Sequence, residues 1–100
     1  MKNCQIAQMT EDSYECDRLL QAISQIVRTK RLLMGMTQEE LAQRAGLHRT
    51  YISDIEQGAQ NLSLRSMSKL ASALDLSPLR IIELADRLTV KESAVADNAG

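Results

Sequence analysis

Apolar residues recur at steps of three and four along most of the chain, which is the pattern of α-helices that bury one face. Leu20, Ile23 and Val27 follow this spacing within residues 13–34, a stretch without proline or glycine. The pattern therefore predicts a long first helix. Gly35 is placed to end it, because glycine readily takes the left-handed conformation found just after helices.

Cap residues predict the second and third helices as strongly as the apolar spacing does. Thr37 and Glu40 have the spacing of a capping box, in which each side chain accepts a hydrogen bond from the other residue's backbone amide. This box opens a second helix that ends at Gly46. We expect His48 to cap a third helix, which Gly58 closes.

Two further helices complete the predicted fold. Ser63 opens the fourth helix. Its inward side is predicted to hold Leu64, Met67, Leu70, Ala71 and Leu74. Ser77 followed by Pro78 is a cap with proline at the first helical position, and it opens a fifth helix that runs to about Leu88.

The predicted fold class is all-α, with a five-helix domain over residues 19–88. Residues 1–18 are an N-terminal extension that could lengthen the first helix, brace a partner or remain disordered. Residues 89–100 are expected to be a frayed tail, because small and polar residues dominate from about Glu92 onward. The chain has no Phe and no Trp, which favours packed helices over an aromatic-rich β-sandwich.

The sequence gives little support for catalysis or metal binding. Cys4 and Cys16 lack Cys-x-x-Cys or Cys/His spacing, so we expect free thiols. His48 is the only histidine, and although Ser53 and Asp54 lie on the same segment, a catalytic triad needs a pocket and an orienting base. We therefore expect no enzyme activity, no cofactor and no metal. The N-terminus is polar and no apolar run has the length of a membrane span, so we expect a cytoplasmic protein with no membrane partner.

Charge is distributed unevenly along the chain, although the net charge is only −1. Residues 28–69 hold seven basic and four acidic residues, a net charge of +3, and each flank has a net charge of −2. Positive potential is therefore concentrated in the middle of the chain, where nucleic-acid phosphates could meet it.

The third predicted helix exposes a row of hydrogen-bonding side chains. Ile52 and Ile55 form its inner side. At 100° per residue, the side chains that point the opposite way are Thr50, Ser53, Asp54 and Gln57. The pattern therefore predicts a short amphipathic helix with one apolar face and one exposed hydrogen-bonding face.

The stretch from Thr37 to Gly58, TQEELAQRAGLHRTYISDIEQG, resembles the Cro and phage-repressor (Xre) helix-turn-helix family. With Arg28 and Arg31 before it and NLSLRSMSKLASAL after it, the resemblance covers about residues 19–88. Within it, RTYISDIEQGAQNLSL is similar to the controller proteins of restriction-modification systems. The resemblance implies a lambda-repressor-like domain that binds an inverted-repeat operator in double-stranded DNA as a homodimer.

The resemblance also implies roles for individual residues. The base-reading residues would be Arg49, Thr50, Ser53 and Asp54 of the third helix. Arg49 could instead contact a phosphate, and Asp54 could accept from cytosine, hold Arg49 or be a solvated acid. The phosphate-binding residues would be Gln38, Arg44, Tyr51, Gln57, Gln60, Asn61 and Ser63. Packing against the second helix is the alternative for Tyr51.

Two further sets have structural roles. Arg31 and Glu56 match a family pair that forms a salt bridge between the first helix and the end of the recognition helix. The dimer interface would be formed by Leu76, Leu79, Ile81, Ile82 and Leu84, unless these side chains only complete the core of the monomer.

Other partners also follow from the resemblance. RNA polymerase is a candidate partner of a regulator bound to DNA. A DNA-binding antitoxin would use the same fold to hold a toxin, with the acidic flanks as its protein-binding surface. A domain that binds only proteins is less expected, because the exposed polar side chains of the third helix would then have no reason to cluster.

Overall fold

The computed structural model describes the backbone of residues 2–58 and 62–99, and the side chains of residues 16–58 and 62–89. Five α-helices occupy these residues: α1 (Lys2–Leu33), α2 (Gln38–Ala45), α3 (Arg49–Glu56), α4 (Leu64–Ala73) and α5 (Pro78–Ala99). No strand occurs in the described part of the chain. The predicted all-α, five-helix fold is confirmed.

The two terminal helices are longer than the apolar spacing indicated. Helix α1 begins at Lys2, so residues 2–18 of the predicted extension belong to the same helix as the domain that follows. Helix α5 continues to Ala99, past Leu88, where the sequence pattern placed its end. No proline or glycine lies between Leu79 and Ala99, so nothing in the backbone stops the helix there.

Three of the four predicted N-terminal caps form as expected. The Thr37 hydroxyl accepts from the Glu40 amide and the Glu40 carboxylate accepts from the Thr37 amide, both at 3.1 Å, which completes the capping box. The hydroxyls of Ser63 and Ser77 accept from the backbone amides three residues later, at 3.1 and 3.0 Å. His48 stands at the N-cap of α3, but its side chain makes no cap hydrogen bond. An imidazole lacks the short side-chain oxygen that favourable N-cap residues supply.

Helices α2 and α4 end in the same hydrogen-bonded turn, the Schellman motif. Two bonds close these turns, from the Leu47 amide to the Ala42 carbonyl at 2.9 Å and from the Leu76 amide to the Ala71 carbonyl at 2.8 Å. The motif needs one residue with positive φ, which is Gly46 (φ 69°) after α2 and Asp75 (φ 58°) after α4. A glycine marks the first turn in the sequence, and no glycine marks the second.

One apolar core joins all five helices. Each helix contributes a side chain with 0% exposure: Val27, Leu41, Ile52, Leu70 and Ile81. The principal contacts run from α1 to α3, α2, α4 and α5 in turn and back to α1, so α3 is supported by both α1 and α2. The prediction that Leu64 lies on the inward side of α4 is wrong, because its side chain is 74% exposed in the first turn of that helix.

The replacement Asp75→Gly is expected to stabilise the fold by up to about 1 kcal/mol. Relief of a left-handed L-residue, about 1–2 kcal/mol, outweighs the entropy that glycine adds to the unfolded chain, about 0.5–1 kcal/mol. Urea unfolding of both proteins measures the difference. Gly46→Ala is the reciprocal control: nothing lies within 4 Å of the added Cβ, so its expected loss comes from φ alone. Changes of the same sign in the two variants would contradict this reading of the turns.

Candidate nucleic-acid interface

Helix α3 presents its polar row outward, as its periodicity predicts. Its inner side chains Ile52 and Ile55 are 0% and 3% exposed. On the other side, Arg49 and Thr50 are exposed at the first turn and Gln57 is exposed just after the last. Ser53 and Asp54 lie between them and are partly buried. The candidate base-reading side chains therefore follow one face of a short helix whose opposite face is fixed in the core.

A buried ion pair fixes the end of α3 to α1. Arg31 Nε lies 2.6 Å from Glu56 Oε2, Arg31 Nη2 lies 3.0 Å from Glu56 Oε1, and the two side chains are only 9% and 4% exposed. Arg31 Nη1 also donates to the Met36 carbonyl at 2.7 Å, so the turn before α2 is held by the same guanidinium. The hydrogen bond to Glu56 raises the pKa of Arg31 above its ordinary value, and the charge of Glu56 adds to this against the opposing effect of burial.

The ion pair extends to the first residue of α2. The side-chain amide of Gln38 donates to Glu56 Oε1 at 3.1 Å, so Glu56 receives hydrogen bonds from α1 and from α2. Gln38 is also a candidate phosphate ligand, because helix N-terminal amides favour an anion at this position. The Glu56 carboxylate thus orients Gln38, a side chain to which the resemblance assigns phosphate binding.

A second buried contact holds the same end of α3, and no sequence pattern predicted it. Ser24 on α1 is 6% exposed, and its hydroxyl lies 2.5 Å from the Ile55 carbonyl and 2.8 Å from the Leu20 carbonyl. A hydroxyl has one hydrogen, so it donates to one of these acceptors at a time. A Cβ at Gly58 would come within 3.5 Å of the Ser24 hydroxyl. Helix α1 therefore closely approaches the last turn of α3 and the residues just after it.

The sequence profile of the helix-turn-helix family matches residues 27–81, which include the whole of α2, α3 and α4. The chain belongs to the helix-turn-helix family. The resemblance noted in the sequence is thereby confirmed, and α2 and α3 are its helix-turn-helix, with Gly46 at the tight turn between them.

Restriction-modification controller proteins are among the helix-turn-helix proteins most similar to this chain. Control protein C.BamHI of Bacillus amyloliquefaciens is 47% identical over 49 residues, which are 49% of this chain and 60% of that protein. Control protein C.SmaI of Serratia marcescens is 37% identical over 60 residues, 60% of this chain and 71% of its own length. The structure of the C.Esp1396I tetramer with its natural 35 base-pair operator has a TM-score of 0.63 and 38% identity, covering 69% of this chain and 91% of that one.

Some predicted phosphate-binding side chains of this helix-turn-helix are exposed, and others are partly buried or already hydrogen-bonded. Arg44 and Gln57 are exposed. Ser63 is exposed, but its hydroxyl is engaged in the cap of α4. Tyr51 is partly buried against the core and lines a shallow hollow at the α2–α3 turn with Leu47. Gln60 and Asn61 lie outside the described residues.

The structure separates the predicted dimer residues into three groups. Ile81 is fully buried in the monomer core, so its assignment to an interface is corrected: it packs inside the domain. Leu79 is 74% exposed and Ile82 is partly buried. Leu76 and Leu84 line a groove between α1 and α5. Helical geometry places Leu84 about 140° around α5 from Leu79, so the two leucines face different directions.

Three further findings concern metal binding, the thiol and membrane spanning. Within the described residues, no group of three His, Cys, Asp or Glu side chains could hold a metal ion. Cys16 is exposed with a free thiol. Over the same part of the chain, no helix combines the length and the apolar character needed to cross a bilayer.

The variant Glu56→Ala is expected to lose about 3–5 kcal/mol of stability, because it leaves the Arg31 guanidinium buried without its carboxylate partner. The control is Glu83→Ala, which removes the carboxylate of the Arg80–Glu83 pair on α5, whose side chains are 47% and 50% exposed. That exposed pair should contribute less than about 1 kcal/mol. Thermal melting compares the two variants, and equal losses would show that burial of the pair is unimportant.

Proposed function

We propose that this helix-turn-helix regulator is the controller protein of a restriction-modification system, binding an inverted-repeat operator as a homodimer. The observation that carries the proposal is the outward polar row of α3, supported from behind by the buried Arg31–Glu56 pair. The similarity to C.BamHI and C.SmaI supports the controller assignment. These relatives favour a controller over a DNA-binding antitoxin.

Helix α3 acts as the reading element in this proposal. An α-helix fits the major groove, where each base pair presents a distinct pattern of donors and acceptors. Arg49 is exposed at the first turn of α3. In this proposal it donates two hydrogen bonds to guanine O6 and N7, a contact that contributes about 1–3 kcal/mol of discrimination. Thr50 and Ser53 contact neighbouring base edges, and Asp54 accepts from cytosine N4.

Phosphate contacts orient α3 without reading sequence. Arg44 is exposed in the last turn of α2 and supplies positive charge, and Gln38 is held by Glu56 at the first turn of that helix. The remaining proposed contacts are Tyr51, Gln57, Gln60, Asn61 and Ser63. The net charge of +3 over residues 28–69 favours approach of this side of the domain to DNA.

Dimerisation completes the proposed mechanism. One recognition helix covers only a few base pairs, and a two-fold dimer places two such helices about 34 Å apart along one face of DNA. The exposed side chain of Leu79, with Ile82 beside it, offers an apolar face on α5 for this contact. C.Esp1396I binds its operator as a tetramer, which supports an oligomeric form.

The proposed regulator acts by binding alone, at promoter DNA in the cytoplasm. RNA polymerase is the partner that such binding would help or hinder. Selection of bound fragments from random DNA is the experiment that tests the proposed operator recognition. The expected result is an inverted repeat, and recovery of no preferred sequence would contradict it.

Arg49→Ala is expected to relax base preference at one position of each half-site, at a cost of about 1–3 kcal/mol per contact. Arg44→Ala is the matched control: it should weaken all duplexes alike and lower the slope of log affinity against log salt by about one unit. Fragment selection and salt titration measure both effects. Identical losses on every sequence for the two variants would show that Arg49 contacts a phosphate.

Leu79→Glu is expected to shift the chain towards monomer and to weaken operator binding at least about tenfold, because it places a charge in the proposed apolar contact. Sedimentation and operator titration measure the two effects. Leu32→Glu is the control, since Leu32 is 57% exposed on α1 and lies outside the proposed contact. A Leu79→Glu protein that remains dimeric would place the dimer surface elsewhere.

A further inference from the structure

A groove between α1 and α5 lies apart from the proposed DNA-binding face. Apart from Leu76 in the α4–α5 turn, the described residues that line it belong to α1 and α5, and none comes from α2 or α3. Its volume is about 550 Å³. This is within the range of small-molecule sites, about 300–1,000 Å³. The dimer contact proposed through Leu79 and Ile82 does not use this groove, although Leu76 and Leu84, which the resemblance assigns to a dimer interface, line it.

The walls of the groove are aliphatic. They are formed by Ile26, Leu33, Leu76, Leu84 and Leu88. Leu33 is 78% exposed and Leu88 is 37% exposed, so both leave apolar surface in contact with water. Burial of that surface by a ligand is favourable in proportion to its area.

The polar side chains around the groove are predominantly cationic. Lys30 on α1 and Arg80 and Arg87 on α5 line it, and no acidic residue is among the described lining residues. Arg80 is paired with Glu83 on its own helix. This bias is local, because the whole chain has 13 acidic and 12 basic residues. The groove therefore combines apolar walls with positive charge.

We propose that this groove binds an anionic amphiphile, an aliphatic chain that carries a carboxylate head group, as a medium-chain fatty acid does. The carboxylate pairs with Lys30 and Arg87, and guanidinium groups can bind carboxylates through two parallel hydrogen bonds. The aliphatic chain lies against Leu33, Leu84 and Leu88. The aliphatic walls alone would also accept a neutral or cationic amphiphile. Lys30 and Arg87 would stabilise only the anionic one, so charge complementarity selects this ligand.

A second copy of the chain is a poorer occupant for the same groove. A two-fold contact would bring Lys30, Arg80 and Arg87 of each copy towards the same three cations of the other, and like charges in contact disfavour association. The exposed leucine proposed for dimerisation, Leu79, faces a different direction on α5 from Leu84. The proposed dimer contact through Leu79 therefore does not require this groove.

Calorimetric titration of the full chain with decanoate, kept below its micelle concentration, tests the proposal. We expect saturable binding of one decanoate per chain and a rise in melting temperature. Decyltrimethylammonium, which has the same chain length and the opposite charge, should not bind. Binding of both amphiphiles alike would overturn the proposal, because it would show nonspecific adsorption to apolar surface.

Variants locate the site. Lys30→Gln combined with Arg87→Gln should weaken decanoate binding at least about tenfold. The matched control combines Arg65→Gln and Lys69→Gln, which removes two exposed cations from α4, outside the groove; it should bind as the unaltered protein does. Equal weakening in the two double variants would show attraction to net charge alone and would overturn the proposal.

A single variant separates loss of ligand binding from loss of the fold and from loss of DNA binding. Leu33→Ser changes a side chain that is mostly exposed, so the fold should persist while the apolar wall is shortened and decanoate binds more weakly. Failure of decanoate to bind the unaltered chain overturns the proposal. A shift of Leu33→Ser towards monomer also overturns it, because the groove would then be a contact between copies. Loss of operator binding in Arg49→Ala or Leu79→Glu would test the proposed function and would leave the groove proposal unchanged.

Discussion

The buried Arg31–Glu56 pair is the interaction on which the arrangement of the proposed base-reading surface depends. Removing two charges from water is costly, and the cost is offset only when the surrounding hydrogen bonds are satisfied. Here the guanidinium bonds to Glu56 and to the Met36 carbonyl, and the carboxylate also accepts from Gln38. One pair therefore fixes α1, the turn before α2, the first residue of α2 and the end of α3 relative to one another.

The parts of this fold that the sequence predicted correctly are those decided by near neighbours. The Thr37–Glu40 capping box and the Ser63 cap depend on groups three residues apart, so their spacing is visible in the chain. Contacts between distant residues have no such signal in the spacing: the Arg31–Glu56 pair was predicted only from the family resemblance, and two other contacts were not predicted. Ser24 meets a carbonyl 31 residues away, and Gln38 meets Glu56 18 residues away.

The candidate site shows the same division between local and tertiary information. The apolar period correctly predicted which side of α3 is buried, the side of Ile52 and Ile55, and therefore which side carries the polar row. On α5, apolar residues occur on several sides, and only packing against α1 and α4 decides that Ile81 is buried while Leu79 is exposed. The left-handed residue after α4 is Asp75, and no glycine marked its position.

Helix α3 is restrained unequally at its two ends. Its last turn is tied to α1 through Ser24 and the ion pair, whereas the His48 side chain leaves the amides of the first turn without a capping acceptor. Amides at the start of a helix can bond to water, to other protein groups or to a ligand. In the proposed complex, the buried contacts at the last turn set the angle at which α3 enters the major groove, and Arg49 lies at the opposite end, beside an N-cap side chain that makes no hydrogen bond.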